Sequence, residues 1–123
     1  MENGEGYRAE KRIEYHFIVR IKPVGLSGTA LWDMSTIRNI SKTGVLFRSS
    51  NYYVYNADVE VRIKNPIVPE EIVCFGKVVR CELVKNVKNI YDVAIEITVM
   101  DSKNKEVYDK TIRLFMDKSE RPK

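Results

Sequence analysis

Apolar and polar residues alternate over several stretches of the chain, the pattern typical of β-strands with one buried face. Between Ile13 and Ile21 the odd positions are apolar, while Glu14, His16 and Arg20 interrupt the even positions. The same pattern, with turn-forming residues between the stretches, predicts five more strands at residues 29–38, 44–50, 58–64, 71–84 and 91–98. The chain is therefore predicted to be mainly β.

Two further features complete the predicted architecture. Gly76 interrupts the fifth strand and indicates a bulge, or a bend where the sheet curls on itself. A helix from about residue 104 to residue 118 is indicated by apolar residues at helical spacing: Tyr108, Ile112 and Phe115 or Met116. Six strands with single apolar faces need either closure into a barrel or a covering layer.

Length and composition favour one folded domain. The chain has 123 residues, of which 44% are hydrophobic and 31% charged, ordinary proportions for a globular protein. We expect a single domain over residues 7–118, with a flexible N-terminus at residues 1–6 and a flexible tail at residues 119–123. No secretory segment and no apolar run of about 20 residues occurs. We therefore expect a cytoplasmic protein with no membrane insertion.

The net charge and the residue counts limit the kinds of partner and functional site that this chain can have. The formal net charge of +4 favours a small anionic partner over long nucleic acid, whose binders concentrate more charge. Cys74 and Cys81, on one strand, would lie roughly 23 Å apart, well beyond disulfide reach. With His16 as the single histidine and no closely spaced Cys or His pairs, no metal site and no nucleophilic triad is predicted. The carboxylates occur singly and no phosphate-binding glycine loop is present, so we do not expect an enzyme.

One candidate binding feature is the pair Arg8 and Arg12, which lie four residues apart just before the first strand. Two guanidinium groups on one side of a segment suit phosphate oxygens, and they suit the O6 and N7 acceptors of guanine. On charge alone, a basic solvated arm is the favoured interpretation.

A second candidate is the stretch IRNISKTGVLF, residues 37–47, which contains Asn39, Ser41 and Gly44. Asparagine offers donors and an acceptor, serine a hydroxyl group, and glycine a close approach of the backbone to a ligand. The same residue types also form ordinary hairpin turns, so the stretch alone does not decide between a turn and a binding loop.

Taken together, the RxxxR pair and the [DN]xSxxG loop resemble the PilZ domain family of bacterial cyclic di-GMP receptors. The stretches GKVVR, residues 76–80, and YDVAIEIT, residues 91–98, are similar to two consecutive strands of that family. The resemblance covers roughly residues 7–117, and the paired motif is more specific than either half.

The resemblance implies a six-stranded antiparallel β-barrel, of the PilZ-like split type, with a C-terminal α-helix. It also implies that cyclic di-GMP is held between the arginine arm and the loop. Arg8 and Arg12 would contact guanine edges and phosphates, Asn39 and Ser41 would hydrogen-bond to the nucleotide, and Gly44 would leave room for it. Less directly, the resemblance implies a contact from Arg48, with Lys11 and Lys42 assisting through charge.

Ligand binding would then order the arm, and this change of shape would signal through a protein partner in motility, biofilm, polysaccharide or virulence control.

Two departures from the family pattern concern the contacts to the bases and the number of ligand molecules bound. Cys81 stands where some relatives carry a stacking aromatic residue, and Tyr7 stands where others carry a further arginine. Two alternatives stay open: a PilZ-fold interaction module that does not bind the nucleotide, and a barrel that binds single-stranded nucleic acid.

Overall fold

Within residues 17–24, 32–64 and 69–120, six antiparallel strands close into a barrel and one helix follows them. A computed structural model describes these residues, with side chains as far as residue 116. The elements are β1 (Ile18–Pro23), β2 (Asp33–Ile40), β3 (Gly44–Ser49), β4 (Asp58–Lys64), β5 (Ile72–Leu83), β6 (Tyr91–Val99) and α1 (Ser102–Glu120). Around the barrel the order is β1, β2, β3, β6, β5, β4, and β4 pairs with β1 to close it. The predicted barrel with a C-terminal helix is confirmed.

The strand bounds agree with the sequence pattern to within one residue at β3 to β6 and differ more at β1 and β2. β2 begins at Asp33, and residues 29–31 of the predicted second strand lie outside the described residues. The bounds of β4 are those predicted, and β3, β5 and β6 differ by one residue at one or both ends. The pattern ends the second strand at residue 38, whereas β2 continues to Ile40 because its backbone pairs with β3 as far as Val45. Asn39 therefore lies in a strand and not in the turn. β1 continues to Pro23, and residues 13–16 of the predicted first strand lie outside the described residues.

The barrel interior is filled by the inward side chains of all six strands. β4 shows the pattern most clearly, since Val59, Val61 and Ile63 are buried while the residues between them are partly exposed. Each such side chain contributes about 1.5–3 kcal/mol when it is fully removed from water. Phe47 on β3 and Val93 on β6 are buried in the same core. The alternation that predicts the strands is thus the alternation that forms the core.

Bulges interrupt this alternation, and two of them change which residues lie on the outer face, one in β2 and one in β5. In β2 the pairing with β3 shifts between Ile37 and Asn39, which leaves Arg38 as the extra residue. In β5 the pairing with β6 shifts between Val78 and Arg80, which leaves Val79 as the extra residue. A bulge places two successive residues on the same face of a strand. As a result Asn39 and Arg80, which strict alternation would turn into the core, lie on the exposed outer face.

The pairing of β5 with β6 also shifts between Phe75 and Gly76, but the extra residue is Thr98 of β6. The bulge at this point therefore lies in the partner strand and not, as predicted, in the fifth strand at Gly76. A Cβ atom at Gly76 would lie against the backbone oxygen of Glu96 and 2.8 Å from Cγ2 of Ile95. The close approach of two backbones explains why this strand carries a glycine.

Helix α1 covers one end of the barrel. Its first turn is capped by Asp101, whose Oδ1 accepts hydrogen bonds from the backbone N and the Nδ2 of Asn104, both within 2.9 Å. These bonds hold the pKa of Asp101 below its usual value. Asn104 in turn accepts a hydrogen bond from Val73 N of β5 at 2.8 Å. The helix begins at Ser102, two residues before the predicted start, because this cap precedes it.

Tyr108 and Phe115 fix the rest of the helix against the barrel. Tyr108 is fully buried, and the ring of Phe115 packs edge-on against Phe17 with the centroids 5.4 Å apart.

No helix in the described part of the chain is both long enough and apolar enough to cross a membrane.

The loop at residues 50–57 covers the opposite end. Tyr53 packs edge-on against Phe47, with the ring centroids 6.0 Å apart. Asp33 Oδ2 accepts hydrogen bonds from the hydroxyl groups of Tyr53 at 2.6 Å and of Ser49 at 2.5 Å. Burial, and then the bond to Asp33, raise the pKa of Tyr53, so its hydroxyl group remains a donor. Both open ends of the barrel are therefore closed by a buried tyrosine.

Two adjacent valines on β5 offer a matched test of the facing of this strand. Val78 is fully buried, whereas its neighbour Val79 is 41% exposed. We expect Val78→Ala to lower the free energy of unfolding by about 2 kcal/mol through lost burial and a residual cavity, and Val79→Ala by about 0.5 kcal/mol or less. Urea denaturation followed by circular dichroism measures both. Equal losses in the two variants would contradict the assignment of Val78 to the interior and Val79 to the outer face.

Candidate functional site

An open groove of about 490 Å³ crosses the outer face of four neighbouring strands, β2, β3, β6 and β5. Asn39, Ser41 and Gly44 line it together with Thr43, so the polar residues of the predicted loop lie on one surface. Two of the lining residues are small, Gly44 on β3 and Ala94 on β6. The groove is the candidate functional site because it gathers these residues.

The loop between β2 and β3 has a fixed shape, held by backbone hydrogen bonds. Ser41 N donates to Gly44 O at 2.9 Å, which closes a tight turn. Thr43 N donates to Ser41 Oγ at 3.3 Å, and Thr43 O accepts a bond from Ile97 N of β6 at 2.7 Å. The stretch is therefore the turn that its residue types predict, and its residues also line the groove.

Tyr108 of α1 supports this loop from below. Its hydroxyl group donates to Ser41 O at 2.6 Å, and Gly44 O lies 3.3 Å from the same oxygen. Burial raises the pKa of Tyr108 above its ordinary value, so the hydroxyl proton stays in place over the physiological range. The helix thereby holds the two ends of the turn.

Asn39 reaches the outer face through the bulge at Arg38. Its Oδ1 accepts a hydrogen bond from Ile40 N at 2.9 Å, which fixes the orientation of the side-chain amide. With the oxygen used in this way, the Nδ2 group is what the side chain offers to a ligand. The residue is exposed.

Gly44 lacks a side chain for a reason within the protein. A Cβ atom there would lie against the backbone oxygen of Ile95 on β6. The glycine is thus required for β3 and β6 to approach each other, whether or not a ligand occupies the groove. The predicted role of leaving room for a ligand stays a prediction.

Arg80 and Glu96 bring opposite charges to the groove, and the sequence patterns did not select either residue as a site residue. Both side chains are exposed, Arg80 on β5 and Glu96 on β6. Two apolar residues followed directly by arginine, Val78, Val79 and Arg80, are the signal in the sequence, because a bulge resolves the conflict between burial and charge. The groove therefore holds one guanidinium and one carboxylate group in addition to the loop.

Arg48 is not among the residues that line the groove. It lies on the outer face of β3, and its Nε donates to Asp92 Oδ1 at 2.8 Å, across the pairing of β3 with β6. Lys42 is exposed in the loop but does not line the groove either. Arg8, Lys11 and Arg12 lie outside the described residues.

A second group of charged side chains surrounds Trp32 on another part of the barrel. Arg20, Lys22 and Arg62 lie within 5.4 Å of the centre of its ring. Arg20 is paired with Glu71 at 2.6 Å, and Arg62 is paired with a carboxylate as well. Because carboxylates already pair with the two arginines, the groove is the better candidate for an anionic ligand.

The chain belongs to the PilZ domain family, whose model matches residues 7–114. PilZ domains are a family of receptors for cyclic di-GMP and are typically not catalytic. The match begins at Tyr7, so it includes Arg8 and Arg12. No curated protein sequence matches the chain.

Solved structures show the same fold at low sequence identity. The Bacillus subtilis inhibitor of motility (MotI/DgrA) is 14% identical, with a TM-score of 0.61 over 96% of this chain and 59% of its own. Two structures of K. pneumonia MrkH are 16% and 15% identical, with TM-scores of 0.67 and 0.66 over 91% and 97% of this chain. This chain spans 49% and 56% of those two MrkH chains, and thus about half the length of the structures it matches.

The contact between Tyr108 and the loop can be tested without the ligand. We expect Tyr108→Phe to lower the free energy of unfolding by about 1 kcal/mol, because Ser41 O loses the hydrogen bond that the buried tyrosine donates. Amide NMR resonances of residues 41–44 should shift with it. Tyr52→Phe, at an exposed ring, is the control and should change neither. An unchanged loop spectrum in Tyr108→Phe would show that the helix does not hold the turn.

Proposed function

We propose that this chain is a cyclic di-GMP receptor domain without catalytic activity. The observation that carries the proposal is the groove, where Asn39, Ser41 and Gly44 of the [DN]xSxxG motif line one surface together with Arg80. The rigid turn beneath the first three supports it further, because a preformed site loses less conformational entropy on binding.

The chemistry of the ligand suits these groups. Cyclic di-GMP carries two phosphate charges and two guanine bases. Guanidinium groups bind phosphate oxygens, or the O6 and N7 edge of guanine, through paired hydrogen bonds. Arg80 offers one such group from the barrel wall, and in this proposal Arg8 and Arg12 supply two more from the N-terminal arm. Asn39 Nδ2 and Ser41 Oγ add neutral hydrogen bonds to the nucleotide.

Arg48 has a smaller part in the proposal. Its pairing with Asp92 means that a ligand has to compete with a carboxylate for the same guanidinium group. Lys11 and Lys42 act only through their charge in this proposal, and salt screens such an interaction at an exposed residue such as Lys42.

The output of the domain is a change of shape that a partner protein reads. Ordering the arm over the groove costs conformational entropy, and the ordered arm forms a surface that is absent without ligand. The cellular process belongs to the same proposal: a cytoplasmic route to motility, biofilm, polysaccharide or virulence control. One of the similar structures is itself described as an inhibitor of motility.

Isothermal titration calorimetry with cyclic di-GMP tests the proposal. We expect a dissociation constant of about 1 µM or lower for the wild-type protein. Arg8→Ala or Arg12→Ala should weaken binding by about a hundredfold, because each removes charge-assisted hydrogen bonds. Ser41→Ala and Asn39→Ala should each weaken it by about tenfold.

Thr36→Ala is the matched control for Ser41→Ala. It removes an exposed hydroxyl group on the outer face of β2, outside the groove lining, and should leave the affinity unchanged. The absence of binding heat, together with an unchanged amide NMR spectrum of the folded wild-type protein, would contradict the proposal. That result would favour an interaction module that does not bind the nucleotide. A salt-dependent shift with random oligonucleotides would instead indicate a nucleic-acid-binding barrel.

A further inference from the structure

Glu96 presents a carboxylate group inside the groove, where a dianionic ligand is proposed to bind. The residue is exposed on the outer face of β6 and lines the groove. Its pairing partner on β3 is Gly44, which has no side chain, and its partner on β5 is Lys77. The surroundings of this carboxylate decide whether it is a neutralised surface charge or part of the site.

Lys77 does not neutralise Glu96. Its Nζ lies 2.8 Å from Oδ1 of Asp58, the residue paired with Lys77 on β4, so the ammonium group is directed away from β6. Arg80 lines the same groove but makes no ion pair with Glu96. Within the described residues, therefore, no cation pairs with the Glu96 carboxylate.

A carboxylate that only faced phosphate groups would weaken the binding of an anion, because like charges repel. It becomes favourable when it faces hydrogen-bond donors, since an ionised carboxylate is an acceptor with two oxygens. Guanine carries two adjacent donors, N1–H and the N2 amino group, on its Watson–Crick edge. These match the two oxygens of a carboxylate in a paired, charge-assisted geometry.

We propose that Glu96 accepts hydrogen bonds from the Watson–Crick edge of one guanine and thereby selects guanine over adenine. This inference rests on the proposed binding of cyclic di-GMP. Arg80 pairs with Ala94, the residue two positions before Glu96 on β6. The backbone positions that carry the two side chains are thus offset by roughly 7 Å along the strand direction. In this proposal a phosphate group at Arg80 and a base edge at Glu96 occupy different parts of the groove.

The base selectivity follows from the donor pattern. Adenine presents one donor, the N6 amino group, beside the N1 acceptor, which repels a carboxylate oxygen. A glutamine at position 96 offers one acceptor and one donor, and this pair suits adenine better than the carboxylate does. The exchange of Glu96 for glutamine therefore changes which base is preferred, which the loss of a purely structural contact does not do.

The experiment is a calorimetric titration of wild type, Glu96→Gln and Glu82→Gln with cyclic di-GMP and with cyclic di-AMP. We expect Glu96→Gln to bind cyclic di-GMP about tenfold more weakly than wild type. We also expect the ratio of the two affinities to move toward cyclic di-AMP by at least the same factor. Glu82→Gln removes the same charge from an exposed position on β5 outside the groove lining, and should change neither value.

The sign of the effect separates the two roles of the carboxylate. If Glu96 only repels the phosphates, its neutralisation tightens the binding of cyclic di-GMP, and this result would overturn the inference. An unchanged affinity for cyclic di-GMP, or an unchanged ratio, would overturn it as well while leaving the receptor function intact. The absence of binding by wild type, in contrast, would overturn the receptor function and this inference together.

Discussion

The alternation of inward and outward side chains in a closed barrel is the constraint on which the other features of this structure depend. A closed barrel has no spare face: each strand residue either fills the interior or meets the solvent. The bulges at Arg38 and Val79 are two places where the described strands depart from strict alternation. Each allows a polar residue, Asn39 or Arg80, to lie outside while the following residue returns to the interior side. Core and groove are thus made by the same strands.

Two buried tyrosines link the ends of the barrel to its wall. Tyr53 closes one end through the carboxylate of Asp33, and Tyr108 closes the other through the carbonyl of Ser41. The second link has an additional effect, because Ser41 also belongs to the groove. The packing of α1 and the shape of the groove therefore depend on one hydroxyl group. The helix acts as a support for the candidate site as well as a cover for the core.

Local patterns predicted most of the fold, while features that depend on pairing between distant strands escaped them. Alternation over seven residues was enough for β4, because the exposure of a strand residue is mainly a local property. The sequence signals a conflict at Arg80, which strict alternation would bury, but the pairing with β6 decides where the extra residue lies. The ion pair of Arg48 joins residues 44 positions apart. The cap at Asp101 was present in the sequence, and the helical spacing of apolar residues did not include it.

The residues of the candidate site also divide into those that a local sequence pattern predicts and those that only the pairing of distant strands brings to the groove. The motif residues of the loop lie on the groove as one set, because they are close in sequence and one turn holds them. Arg80 and Glu96 join them only through the order of strands around the barrel, which puts β6 and β5 beside β3. The ligand contacts of Arg8 and Arg12, which form the first half of the paired motif, stay predictions.

A six-stranded barrel whose interior is packed with side chains has no room for a ligand inside. Any molecule that this domain recognises is therefore bound on the outer wall, with water on its far side. At such a surface, charges are screened over about 8 Å at physiological ionic strength, and net attraction alone selects poorly among anions. Discrimination between similar nucleotides then depends on the directions of individual donors and acceptors, which a rigid wall of paired strands keeps constant.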